Sequence, residues 1–222
     1  MIAFPTAAKF GKKIPFAQLK KQGAAPRFAK WVKAVVWAYK LAPETINLSA
    51  NDAVREIEVL DVVLREACST SRARTLVVEL FSKLIPNPCI LRLYGEAGDE
   101  LGVAVCPKLS AGGLYGDSPV YRCTLGLGAF EADWGQKAWA GVTSLEAFLI
   151  RFTAALAGMQ TLPGEALKDF IVRHYTLAAL RAAREALEPK IAKERQLDVK
   201  YRLVKERQQL EQEIQKCHPL NT

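Results

Sequence analysis

Asp61 lies in Glu56-Ile57-Glu58-Val59-Leu60-Asp61-Val62-Val63-Leu64, a run rich in β-branched residues that predicts a strand. Strand alternation places Asp61 with Ile57, Val59 and Val63 on an otherwise apolar face. An Asp and a Glu close together, with a Lys a residue away, suit a metal-dependent nuclease. The acids hold a divalent ion that polarises the phosphate, and the Lys steadies the charge. Asp61 and Glu58 are the acids such a centre would use, with Glu56 and Glu66 nearby. No Glu-x-Lys follows on a later strand, however, and Ile90-Leu91-Arg92-Leu93 offers only an arginine. The structural alternative is that Asp61 is satisfied by a backbone amide or an arginine.

Other catalytic chemistry has less to draw on. The two histidines, His174 and His218, have no Cys, His or carboxylate at a metal-ligand spacing. The five cysteines (Cys68, Cys89, Cys106, Cys123 and Cys217) include no C-x-x-C, and their apolar neighbours suit small buried hydrophobes in a reducing compartment. The chain contains no G-x-x-x-x-G-K-[ST], no G-x-G-x-x-G opening a helix and no G-x-S-x-G. Leu125-Gly126-Leu127-Gly128 reads as a turn. The expectation is a chain without a cofactor or metal and without catalysis of its own, the Asp61 nuclease being the alternative.

The charge is more informative. Residues 1–43 carry nine Lys/Arg and no acid, whereas 44–164 are net negative and 165–222 mildly positive. Such a segment attracts polyanions, because phosphates neutralised by lysine release their counterions. Lys9, Lys12, Lys13, Lys20, Lys21, Arg27, Lys30 and Lys33 are the candidate nucleic-acid contacts. Phe10, Phe16, Phe28, Trp31, Trp37 and Tyr39 are interleaved with them and could stack on bases. Their helical spacing favours packing on the core.

These residues need elements to position them. Pro5, Gly11, Pro15 and Gly23 mark 1–25 as a basic, extended arm with at most a turn of helix. Residues 26–158 read as an α+β globular domain. It opens with a helix from Pro26, carrying Phe28, Trp31, Val32, Val35, Val36 and Tyr39 and stopped by Pro43. After the Asp61 strand come a capped helix over about 71–85, strands at 89–94, 101–107 and 120–127, and a helix opening at Thr143-Ser144. The expected fold class is α+β: a small, mainly antiparallel sheet flanked by helices.

Beyond Met159–Gly164, residues 165–222 read as a helical extension, one helix to about Leu187 and another from about Pro189 to Cys217. Val199, Leu203, Leu210 and Ile214 form an apolar seam, with Glu206 and Arg207 where the next apolar positions should fall. The extension is expected to fold back as a hairpin, or to offer a coiled-coil-like helix to a partner. No apolar run is long enough to span a bilayer, and the opening residues do not resemble a secretory signal, so a cytoplasmic location is expected.

Lys40-Leu41-Ala42-Pro43-Glu44-Thr45-Ile46-Asn47-Leu48, preceded by Lys12-Lys13-Ile14-Pro15 and followed by Glu56-Ile57-Glu58-Val59, resembles an uncharacterised bacterial family. That family, a domain of unknown function, shares a KLxPETINL block, a strand beginning EIxV and a charged helical tail. The resemblance implies an accessory subunit in antiviral defence or restriction-type operons, with a helicase or DNA methyltransferase as partner. It brings no catalytic residues with it. Read physically, the block is a helix end and a loop: Pro43 stops the helix, Thr45 or Asn47 bonds the loop backbone, and Ile46 and Leu48 anchor it.

Overall fold

The computed structural model describes residues 4–21, 28–68, 70–108, 121–122 and 139–217, with the backbone alone at 20, 21, 121 and 122. Cys123, Arg27, His218, the Gly-Leu-Gly turn and most of the strand expected at 120–127 lie outside them. Two compact units divide the chain, residues 1–159 and 160–222.

The first unit is α+β. Its sheet has six strands in sequence order: β1 (Lys9–Lys13), β2 (Val32–Leu41), β3 (Ile57–Leu64), β4 (Cys89–Tyr94), β5 (Glu100–Cys106) and β6 (Tyr121–Arg122). All neighbours pair antiparallel except β3 and β4, which run parallel. A parallel pair needs a crossover, and helix α3 (Ser71–Leu84) supplies it. The Thr70 hydroxyl caps α3 by accepting from the Ala73 N–H at 3.2 Å.

Residues 26–41 depart from expectation. The helix is confined to one turn, α2 (Phe28–Trp31), and the chain then enters β2. The cause lies in two bulges. Val32 faces Leu64 but Ala34 faces Val63, and Trp37 faces Leu60 but Tyr39 faces Val59, so Lys33 and Ala38 are extra residues. Each bulge shifts the alternation by one. The buried positions Val32, Val35, Ala38 and Leu41 therefore recur every third residue, which imitates a helical period. The β-branched and aromatic content of the run is the truer signal.

In the basic segment, residues 4–21 form more than an extended arm. β1 is the sheet's edge strand, and a short helix α1 (Phe16–Lys21) follows it and buries Leu19. Gly11, at φ +66°, supplies the turn that lets three steps of β1 match two of β2.

One face of the sheet packs Val35, Leu60, Val62, Leu91 and Ala104 against Leu19, Phe28, Val77, Val78 and Phe81. Phe28 and Phe81 meet at 5.0 Å between ring centroids. The other face carries Phe4, Tyr39 and Trp139, and Trp139 stacks at 4.4 Å on Phe148 of helix α4 (Leu145–Ala157). Ser144 caps α4 through the Ala147 N–H, and Gly158, at φ +62°, ends it.

The second unit holds helices α5 (Leu167–Lys193) and α6 (Leu197–Cys217), joined as a hairpin. Of the two roles open to Pro189, starting the second helix or lying within a longer one, the structure shows the latter, since α5 runs through it to Lys193. The turn comes at 194–196, where a Glu194 carboxylate oxygen accepts from the Arg195 and Gln196 N–H groups at 2.8 and 2.9 Å.

Candidate nucleic-acid interface

The basic edge strand shares a cleft with one acid of β3, Glu58, while the other, Asp61, lies on the opposite face of the sheet. Lys9, Phe10, Lys12 and Lys13 are all exposed on β1. Phe10 is 47% exposed and lies 4.7 Å from the Trp37 ring on β2. The Trp37 indole N–H donates to the Tyr39 carbonyl at 3.1 Å, which fixes the ring's orientation. Phe10, Lys12, Lys13 and Trp37, with Glu58, Ile85 and Pro86 among others, line a cleft of about 390 Å³, within the ordinary range for ligand pockets.

Glu58 is the unusual wall. It is 7% exposed, and one carboxylate oxygen accepts from the Asn87 side-chain amide at 3.0 Å. The same amide also serves Glu56. Lys40, opposite Glu58 across β2 and β3, instead pairs with Glu56 at 2.9 Å and Glu44 at 3.2 Å. Those two bonds raise the Lys40 pKa above its ordinary value. Burial pushes the Glu58 carboxyl above the usual range, against the pull of the Asn87 bond. Behind Glu58 in register lies Cys89, and beside that Cys106, both fully buried. The bond to Cys106 and burial hold the Cys89 thiol well above its ordinary pKa.

Asp61 faces the other way. Its two oxygens accept a fork of two bonds from Arg92, at 2.6 and 2.8 Å, from the register position beside it on β4. The Arg92 guanidinium, 6% exposed as a residue, sits among the rings of Tyr39, Phe4 and Tyr94, 5.2, 6.0 and 6.0 Å from their centroids. Burial works against the charge of Arg92, yet the Asp61 bond leaves its pKa raised, and burial pushes Tyr94 up to about 12. Among the described residues no group of three metal-ligating side chains converges. Asp61 and Glu58, the two acids of the nuclease reading, point to opposite faces and share no ligand position.

The remaining cations divide. Lys30 is exposed on α2, and Lys33 pairs with Glu96 at 3.0 Å. Lys20 and Lys21 fall in α1, their side chains outside the described atoms, as is the whole of Arg27.

In the hairpin, Val199, Leu203, Leu210 and Ile214 are half-buried. Arg207 fills the gap in their seam and reaches Glu188 of α5 at 3.5 Å, so this stripe faces α5. At the open end, Arg173 forks onto Glu165 at 2.6 and 2.7 Å and also donates to the carbonyls of Gln160 and Cys217. The apolar residues left outward are Leu197 and Tyr201, 84% and 71% exposed.

The loop of the block uses Thr45 and Ile46 as the sequence implied. The Thr45 hydroxyl donates to the Lys40 carbonyl at 2.6 Å and accepts from the Ala42 N–H at 3.0 Å, and Ile46 is buried. Pro43 ends a strand, where a helix was expected.

A family described as "Domain of unknown function (DUF4391)" matches residues 2–121, more than half of the chain. The chain belongs to this family. The matched residues include β1 to β5 and α3, and therefore the whole cleft and the Asp61–Arg92 pair. No curated protein and no solved structure matches the chain. Among the described residues no helix is long and apolar enough to cross a membrane.

Sequence reasoning found the lysines, Asp61 and Glu58, but not the cleft. Asn87, which joins Glu56 to Glu58, lies about thirty residues from both and carries no local signal. The pairing of Phe10 with Trp37 depends on β1 and β2 being strands, which the third-residue period concealed.

Proposed function

We propose that the chain is a non-catalytic accessory subunit that contacts nucleic acid through β1 and binds a larger enzyme through other surfaces. One observation carries the first half: three exposed lysines and an exposed phenylalanine on one edge strand, in a segment with no acid. Lysines on an edge strand also deter sheet-to-sheet pairing. That role alone would not call for the aromatic pair beside them. The resemblance in the KLxPETINL block supports the second half, with a cytoplasmic helicase or DNA methyltransferase of a defence or restriction-type system as the partner. Metal-dependent cleavage centred on Asp61 is the competing reading. The fork from Arg92, which takes both Asp61 oxygens, weighs against it.

Deleting residues 1–25 would remove β1 and the buried Leu19, so charge reversal is the cleaner test. Lys9→Glu, Lys12→Glu and Lys13→Glu combined should weaken binding of a single-stranded oligonucleotide. The slope of log K against log salt should flatten by roughly 0.7 for each phosphate that the variant no longer neutralises. An unchanged slope would remove β1 from the interface. A nuclease-treated pull-down from the native host tests the partner. Near-stoichiometric helicase or methyltransferase is the expected result, and recovery of neither would sink that half.

A further inference from the structure

The cleft beside β1 combines features that a purely structural surface does not need. Glu58 is an acid more than nine-tenths buried, and among the described residues no cation pairs with it. The nearest candidate, Lys40, is drawn off to Glu44 and Glu56. Asn87 serves the Oε1 atom of Glu58, and the side chain forms part of the cleft wall. Among the described residues no hydrogen bond reaches the other carboxylate oxygen, which is not sealed from solvent and can accept from a donor that enters the cleft. The rest of the cleft describes that visitor. The rings of Phe10 and Trp37 present apolar faces, Ile85 and Pro86 close the far side, and Lys12 and Lys13 stand at the rim. A flat ligand with a donor on its edge and negative charge beside it satisfies all of these at once.

We propose that the cleft receives one unstacked nucleobase bearing an exocyclic amino group from a single-stranded nucleic acid, with Glu58 accepting from that amino group. Phe10 and Trp37 form the stacking surface, and Lys12 and Lys13 meet the flanking phosphates. The inference rests on the nucleic-acid reading above and adds a base preference to it. Cytosine and uracil differ at C4, where an amino group replaces a carbonyl oxygen, and at the neighbouring N3, an acceptor in cytosine and an N–H in uracil. A carboxylate aimed at the C4 substituent therefore favours cytosine. The amino group donates to a carboxylate, and the carbonyl oxygen repels it.

The test uses the full chain and labelled oligo(dC) and oligo(dU) of equal length, titrated by fluorescence anisotropy at fixed salt. The wild type should bind oligo(dC) roughly ten-fold more tightly, the worth of one hydrogen bond to a charged acceptor. Glu58→Gln keeps the shape and the Asn87 bond but turns a donor toward the cleft, so the ratio should fall to about one. Phe10→Ala, at an exposed position that cannot unfold the core, should weaken both oligomers by roughly ten-fold. Equal binding of the two oligomers by the wild type, or an undiminished preference in Glu58→Gln, overturns the base site and leaves strand binding by β1 intact. If neither oligomer binds better than to the Lys9, Lys12 and Lys13 charge-reversal variant, the nucleic-acid reading falls with it.

Discussion

Replacing Asp61 with alanine should destabilise the first unit substantially, and the structure indicates by how much. Arg92 is 6% exposed, and both bonds of its fork end on Asp61. Without that carboxylate the guanidinium loses both bonds of the fork while it stays buried against the aromatic rings of Phe4, Tyr39 and Tyr94. Breaking a buried pair from one side costs about 3–5 kcal/mol. The Asp61 side chain is itself 24% exposed, so water can enter the space it vacates, and the cation–π contacts persist. Both effects place the cost at the lower end, about 3 kcal/mol. For a unit of this size that corresponds to a fall in Tm of roughly 6–12 °C. Changing both partners, Asp61→Leu with Arg92→Met, removes the buried cation together with its acid and should recover most of the loss. Urea titrations of the wild type, both single variants and the double variant, followed by near-UV circular dichroism, give the coupling energy. An Asp61→Ala variant within about 1 kcal/mol of wild type, or a double variant no better than the single, would refute the account of Asp61 as a packing residue. It would also reopen the question of why an acid stands there.

Two further outcomes concern Glu58 and Arg173. The folded-state pKa of Glu58 is raised by burial, so the folded chain holds that proton more tightly than the unfolded chain. Its contribution is therefore fully present below the ordinary glutamate pKa of about 4.3 and is lost as pH rises through the folded value. Glu58→Gln, which does not titrate, should match wild type at about pH 4 and gain relative to it as pH rises, by at most about 1.4 kcal/mol per pH unit. Parallel Tm profiles from about pH 4 to 8 would contradict this. In the second unit, Arg173 and Glu165 are 11% and 4% exposed in their side chains, and Arg173 also holds the carbonyls of Gln160 and Cys217. Arg173→Ala should lower the protection of α5 and α6 amides against hydrogen exchange by about 3 kcal/mol, leaving β3 and β4 unchanged. Equal loss in the sheet, or none in the hairpin, would be the contrary result.

What the sequence disclosed follows from how local each signal is. Thr70 and Ser144 sit at helix starts because a side-chain oxygen there meets a free N–H three residues on, and both were legible. β3 and β4 were legible because buried strands need nearly continuous apolar runs, whatever surrounds them. β2 was not, because its two bulges alter the period on which the reading depends, and only pairing with β3 reveals that Lys33 and Ala38 are the extra residues. That difference has the widest consequences. A helix over residues 28–39 could not place Trp37 beside Phe10, nor Lys40 opposite Glu58, and would leave the lysines of β1 no sheet to edge. Asp61 and Glu58 look alike in sequence, two acids three apart on one strand. Odd spacing on a strand puts side chains on opposite faces. There one takes a two-bond fork from an arginine in register, and the other borders a cleft and forms no ion pair among the described residues. The difference between a satisfied acid and an available one is thus set by β4 and β1, neither of which lies close to them in the chain.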